Sequence, residues 1–187
     1  QASGTCAVTD TETVCFGRGF FGGDTANRDP AARIRVDFPD APAQVVGGLS
    51  HLCARIEGDV FCLGDNLSGP LGVSDFFAPT PVRVPLDEPA TEIVAGPNAT
   101  CARTASGFVC WGMDDFGQLG SQSTGSFRGR LQPAPEFAGA RQLALGYESS
   151  CAWYDSGVLQ CVGRNHLGQL GDGTTMSRLT AEPVVFD

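Results

Sequence analysis

The chain has 187 residues, 42% of them apolar, and a formal net charge of −9, which allows a single domain with a substantial core and opposes nucleic acid, whose binding needs a basic footprint. No stretch approaches the roughly twenty apolar residues that cross a bilayer, and the acidity disfavours polybasic membrane attachment. All twelve basic residues are arginine, a composition in keeping with a GC-rich bacterial genome.

Read from the start, the chain writes the same phrase four times: Cys6 with Cys15, Cys53 with Cys62, Cys101 with Cys110, Cys151 with Cys161. The first cysteines of successive pairs lie 47, 48 and 50 residues apart, a period at which the fold must be sought one repeat at a time. The copies divide at approximately 1–42, 43–90, 91–140 and 141–187, within one repeat domain.

The first copy begins almost at its cysteine pair. The second opens on an apolar segment, Gln44-Val45-Val46-Gly47-Gly48, runs through Cys53 and a turn at Glu57-Gly58 to Val60-Phe61-Cys62-Leu63-Gly64, and continues to Gly69-Pro70-Leu71-Gly72 and Pro81-Val82-Arg83-Val84. The third repeats this as Glu92-Ile93-Val94-Ala95-Gly96, Phe108-Val109-Cys110-Trp111-Gly112, Gly117-Gln118-Leu119-Gly120 and Pro133-Ala134-Pro135. The fourth reads Gln142-Leu143-Ala144-Leu145-Gly146, Val158-Leu159-Gln160-Cys161-Val162-Gly163, Gly168-Gln169-Leu170-Gly171 and Pro183-Val184-Val185-Phe186. Each full copy thus offers about four short extended segments punctuated by glycine and proline. Helical repeats are the competing architecture, but each interior glycine costs a helix about 1 kcal/mol relative to alanine. The cysteine strands are apolar on both sides, as strands sandwiched between sheets are. The expectation is an all-β chain of propeller-type blades, incomplete or open. The position shared by Phe16, Leu63, Trp111 and Val162 should pack between blades.

Cys101-Ala102-Arg103, a turn at Gly107, Val109-Cys110-Trp111-Gly112 and Gly117-Gln118-Leu119-Gly120 together resemble the regulator-of-chromosome-condensation repeat, in its disulfide-containing exported bacterial form. The resemblance covers nearly the whole chain. It is strongest in the third and fourth copies; the second has Pro70 in place of the glutamine, and the first has Phe20-Phe21-Gly22-Gly23 where that segment should be. The resemblance implies β-propeller blades. The best-known members are seven-bladed rings, among them a nuclear guanine-nucleotide exchange factor and secreted bacterial β-lactamase inhibitors. It also implies a structural role for His51, two residues before a cysteine.

Each cysteine pair brackets a hairpin whose turn is Asp10-Thr11, Glu57-Gly58, Ala105-Ser106-Gly107 or Asp155-Ser156-Gly157. Directly opposite residues on adjacent strands stand close enough to bridge, so four intra-blade disulfides are expected: Cys6–Cys15, Cys53–Cys62, Cys101–Cys110 and Cys151–Cys161. Each contributes about 3 kcal/mol by chain entropy, less any strain. Zinc is the rival reading, and the spacing is wrong for it. Four disulfides imply an oxidising compartment: extracellular, cell-surface or periplasmic. The start, Gln1, has no basic region or apolar run of a signal peptide. The opening segment is missing from the first copy and the last copy stops before a next one, so the expectation is an uncovered strand edge joined by a further segment.

Catalysis finds little support. His51 and His166 stand at different phases of the repeat and beside no nucleophile motif. Asp114, Asp115 and Asp172 flank the glycine-rich segments, where they are expected to cap turns rather than bind metal. Arg33-Ile34-Arg35 and Arg128-Gly129-Arg130 are short local groups. No cofactor or metal is expected, and no enzymatic activity. What remains is the variable loop after the glycine-rich segment. It carries Phe76 and Phe77 in the second copy, Phe127 and Arg128 in the third, and Met176 and Arg178 in the fourth; Phe20 and Phe21 lie near it in the first. Equivalent positions in successive blades come to one face, so these residues are candidates for a partner-binding surface. The expected function is a protein-interaction module binding another protein or a neighbouring subunit. The alternatives are a subunit of a cell-surface or filamentous assembly completed by strand addition, and a glycan-processing enzyme with paired carboxylates.

Overall fold

The computed structural model of the protein describes residues 3–9, 12–18 and 33–186, with the side chains of residues 3, 4, 17, 18 and 126–128 outside that description. Among the described residues the elements are fifteen strands and one 3-10 turn, Pro135–Phe137. The first blade comprises β1 (Ser3–Val8), β2 (Thr13–Arg18) and β3 (Ile34–Val36); the second β4 (Gln44–Gly47), β5 (His51–Ile56), β6 (Asp59–Asp65) and β7 (Phe77–Arg83). The third comprises β8 (Glu92–Ala95), β9 (Ala99–Thr104), β10 (Gly107–Asp114) and β11 (Gly125–Pro133); the fourth β12 (Gln142–Leu145), β13 (Ser149–Trp153), β14 (Leu159–Gly163) and β15 (Arg178–Pro183).

Every blade is an antiparallel meander in sequence order. The opening strands β4, β8 and β12 lie against one another along the inside of an open arc, and β7, β11 and β15 form the outer edges. The first sheet has the order β1-β2-β3, and among the described residues no strand pairs with the inner side of β1.

The paired cysteines are register partners in all four hairpins, with Cα atoms 4.0 Å apart in the first blade and 4.1 Å in the others. All four disulfides are the expected ones, and no described cysteine is free. At the second hairpin the tight turn needs two left-handed residues, supplied by Glu57 (φ 50°) and Gly58 (φ 95°). In the second, third and fourth blades the ladder slips at a β-bulge just after the second cysteine, between Cys62 and Gly64, Cys110 and Gly112, and Cys161 and Gly163. Gly112 has φ 113°, and a Cβ there would stand 2.5 Å from the Asn98 carbonyl oxygen, so the bulge is closed to any side chain.

The core lies in the joints between blades. The disulfide face of one sheet packs on the opposite face of the next: Cys53, Val60, Cys62, Leu71 and Val84 meet Ile93, Ala102 and Trp111. Cys101, Phe108, Cys110 and Leu119 likewise meet Leu143, Ala152 and Val162. A smaller cluster of Cys15, Val36, Leu52 and Leu63 joins the first blade to the second. Trp111, Leu63 and Val162 are buried as their shared position requires, and Phe16 is half-buried.

Candidate protein-interaction face

The second, third and fourth blades each present two kinds of connection at the same end of their strands. The short turn after the opening strand lies beside the long loop after the second cysteine strand: Asp65 N–H donates to Ser50 O, Met113 N–H to Asn98 O and Arg164 N–H to Glu148 O. A buried residue at the base of each long loop fixes it. Asn66 accepts from Leu71 N–H and donates to the carbonyls of Val73 and Asp75; Asn165 accepts from Leu170 N–H and donates to Thr174 O and to the Asp172 carboxylate. In the third blade Asp114 takes this place, accepting from Leu119 N–H at 2.7 Å and from the Ser121 hydroxyl at 2.7 Å. Burial raises its carboxyl pKa to about 6. Asp172 has the opposite environment: the Thr174 hydroxyl and amide, Asn165 and Arg178 hold it down to about 2. Both aspartates therefore organise turns.

With the loops pinned from below, their outer positions project. Leu67 and Leu167, each between a buried asparagine and a glycine, are exposed, as are Phe76 and Met176 further along the same loops. Leu49 and Tyr147 in the neighbouring turns are exposed as well. These six side chains lie on one face of the arc, contributed by the second and fourth blades. Between them the third blade sets Phe116 under Arg164, whose guanidinium carbon is 4.9 Å from the ring centroid and which pairs with Glu148 at 2.6 Å.

Of the residues expected at this surface, Phe76 and Met176 are exposed on it. Phe77, at the start of β7, is half-buried, and half-buried Arg178 is bound to Asp172. Phe20 and Phe21 lie outside the described residues, as do the side chains of Phe127 and Arg128. Leu49, Leu67, Tyr147 and Leu167 were not expected. The legible signal for Leu67 and Leu167 is a large apolar residue in a polar turn between the loop-base asparagine and the next glycine, where no strand period can turn it inward.

The two histidines have opposite surroundings. His51 is fully buried between the second and third blades, and its Nε2 lies 2.9 Å from Thr100 Oγ1. Thr100 spends its own proton on Pro70 O, so the imidazole is the donor in that pair. His51 Nδ1 has no partner among the described residues, and burial lowers the imidazole pKa to about 4. His166 is exposed. Among the described residues no group of three or more His, Cys, Asp or Glu is placed to hold a metal, and no helix is long and apolar enough to cross a membrane.

No family model and no curated protein matches the sequence. Solved structures do match the fold. The chain is similar to human WBSCR16, with a TM-score of 0.80 and 20% identity over 97% of this chain and 49% of that one. It is similar to yeast RCC1 (Prp20) in its complex with Kap60, with a TM-score of 0.79 and 20% identity over 98% of this chain and 49% of that one; another study of Prp20p concerns its binding to Gsp1p and histones. A more distant likeness is the CRINKLY WD40 ectodomain of the Arabidopsis thaliana receptor kinase ACR4, with a TM-score of 0.50 and 17% identity over 86% of this chain and 46% of that one. The chain spans about half the length of these structures, and its blades have the fold of regulator-of-chromosome-condensation-like propellers.

Proposed function

We propose that the protein is an exported interaction module that binds another protein through the loop face and has no chemistry of its own. The observation that carries this is the set of six exposed apolar side chains, Leu49, Leu67, Phe76, Tyr147, Leu167 and Met176, on one face of a rigid, disulfide-stapled scaffold. A patch of this composition is what a partner's apolar anchors cover. Arg164 and Arg178 are spent on Glu148 and Asp172, so with the chain's acidic balance a partner with basic character fits best. The net charge of −9 favours protein over nucleic acid. Four disulfides support an oxidising compartment, and the ACR4 domain of similar fold is an ectodomain. Prp20, a protein of similar fold, was crystallised bound to another protein, Kap60.

The test is a double variant, Leu67→Asp with Leu167→Asp, compared with Val158→Asp, which lies at the opposite end of the blades. Partners captured by the wild-type protein from the native extracellular or periplasmic fraction should be lost by the double variant and kept by Val158→Asp, with all three melting alike. Equal capture by all three would remove the loop face from consideration. A second reading, a subunit completed by strand addition, draws on the uncovered inner side of β1. There a groove of about 280 Å³ is lined by Cys6, Val8, Val45, Val46, Gly47, Gly48 and Leu52.

A further inference from the structure

Polar side chains latch neighbouring blades across their joints, and the three joints differ. Between the third and fourth blades the latch is Arg103. Glu92 holds its Nε at 2.9 Å, and the guanidinium donates to Ala140 O at 2.7 Å and Arg141 O at 2.9 Å in the linker that leads to β12. Its carbon lies 4.3 Å from the centroid of the Phe108 ring. The group is thus stacked on one side and met by acceptors at its edge, the arrangement a planar guanidinium favours. Between the second and third blades the place of Glu92 belongs by register to Gln44, whose Nε2 donates to Ile93 O at 2.8 Å and whose Oε1 accepts from Ile93 N–H at 2.9 Å. That amide acts as one more rung of backbone between β4 and β8.

The joint between the first and second blades is built otherwise. Val8 pairs with Thr13 across the first hairpin as Arg55 pairs with Val60 in the second and Arg103 with Phe108 in the third. Valine stands where the others hold arginine, and threonine where they hold an apolar residue. The linker nevertheless keeps its place: Ala43 N–H donates to Arg55 O as Arg141 N–H does to Trp153 O, so Pro42 and Ala43 correspond to Ala140 and Arg141. Beside it, at the hairpin end of the joint, lies an open groove of about 250 Å³. Thr13 and Pro42 are in its wall, with Glu12, Asp37, Phe38 and Asp40 around them. Thr13 is 2% exposed, and its buried hydroxyl has no hydrogen-bond partner among the described residues. Arg35, also in the wall, is bound to Asp37 at 2.8 Å. Among the described residues no cation pairs with Glu12 or Asp40, so the groove is acidic.

We propose that this groove is a binding site for a guanidinium group, the arginine side chain of a protein partner, seated in the first joint as Arg103 is seated in the last. The guanidinium donates to Pro42 O and Ala43 O, the counterparts of the carbonyls that Arg103 meets, and it gives the Thr13 hydroxyl the donor it lacks. Glu12 and Asp40 supply the negative charge that Glu92 supplies to Arg103. Phe38 is the apolar wall. A guanidinium suits such a seat better than an ammonium, because its rigid fork spans several acceptors at once and its face tolerates an apolar neighbour. The groove opens at the end of the blades opposite the loop face, so this contact stands or falls independently of that one.

The experiment titrates the full chain with three end-blocked glycine peptides carrying a central arginine, lysine or citrulline, and follows the backbone amide signals by NMR. Citrulline has the shape of arginine without its charge. The arginine peptide should shift the amides of Glu12, Thr13 and Asp37 saturably, the lysine peptide should bind severalfold more weakly, and the citrulline peptide should leave them in place. Val8→Arg supplies the guanidinium from within the chain, at the register position of Arg103, and should abolish the response to the arginine peptide. Val8→Gln should retain it. Thr13→Val keeps the shape of the side chain and removes the hydroxyl, so it should weaken the arginine peptide severalfold. The proposal is overturned if the three peptides act alike, or if folded Val8→Arg binds the arginine peptide as the natural chain does. Should Val8→Arg fail to fold, an unchanged affinity in Thr13→Val overturns it instead.

Discussion

The joint between the second and third blades and the joint between the third and fourth occupy the same place in the repeat, yet they are filled by different chemistry. In the former, Trp111 is fully buried with its Nε1–H donated to Pro70 O at 2.8 Å, and the same carbonyl accepts the Thr100 hydroxyl at 2.9 Å, with His51 behind it. In the latter, Phe108 and Phe137 meet edge to face at 6.4 Å, and Arg103 covers Phe108 with its guanidinium carbon 4.3 Å from the ring centroid. Tyr154 OH donates to Glu136 O at 2.9 Å at the edge of this cluster. One joint is built on the Trp111, Thr100 and His51 hydrogen bonds in its depth, while the other is built on an aromatic pair with its charge at the rim. The fold demands only that each joint be full, so the copies differ in chemistry while holding one backbone.

The largest expected effect is at Trp111. Trp111→Ala should cost about 3–5 kcal/mol, through the cavity and the lost donor to Pro70 O. Val162, its equivalent in the other joint, is also fully buried but far smaller, so Val162→Ala should cost about 1–2 kcal/mol. Denaturant melts of the two variants check this ordering. Equal losses would mean that the joints depend on the shared position alike and that the difference in filling is unimportant.

The second expected effect is a pH dependence confined to the joint that holds His51. Its imidazole is lowered from 6.5 to about 4 by burial. Between those values the unfolded chain takes up a proton that the folded chain refuses. The contribution is therefore whole above about pH 6.5 and is lost as pH falls toward 4, to a depth of about 3 kcal/mol. His51→Gln keeps a donor toward Thr100 and removes the titration. Stability measured at pH 7 and pH 4.5 should fall less in this variant than in the wild type, and parallel profiles would contradict a neutral buried imidazole.

Much of the frame was legible because the cysteines, the bulge glycines and the loop glycines recur at fixed offsets, each demanded by a local backbone requirement such as the left-handed φ at Gly112. The disulfide map followed from the same hairpins. The latches were not legible. Gln44 and Arg103 look like ordinary strand polar residues, and their partners lie 49 and 37 residues away, in the next repeat. At the loop face the pattern named Phe76 and Met176, but Phe77 turns inward one position later, where its pairing with Asp65 begins the strand. Arg178, a candidate for the same surface, is bound to Asp172. Composition identifies a loop as a candidate surface; only packing decides which side chains are left over.

The smallest effect concerns the loop base of the third blade, where the two kinds of blade can be interconverted by one atom. Asn66 and Asn165 each give their amide protons to carbonyl oxygens of the loop above, whereas Asp114 has only acceptors to offer and is met by Leu119 N–H and Ser121 Oγ. Its pKa is raised to about 6, so the folded chain holds a proton there that the unfolded chain releases. The sign is opposite to that of His51. The group is most favourable below about pH 3.8, its stabilisation is lost as pH rises through 6, and at neutral pH it is a buried carboxylate with two donors. Asp114→Asn should raise stability at pH 7 by about 1 kcal/mol, as substitutions toward a repeat's own majority commonly do. It should also remove the partial compensation that Asp114 gives against His51, making the loss between pH 6.5 and 4 steeper than in the wild type. A variant that melts lower at pH 7 would show that the Ser121 contact matters more than the buried charge, and that the third loop has its own architecture rather than a strained version of its neighbours'.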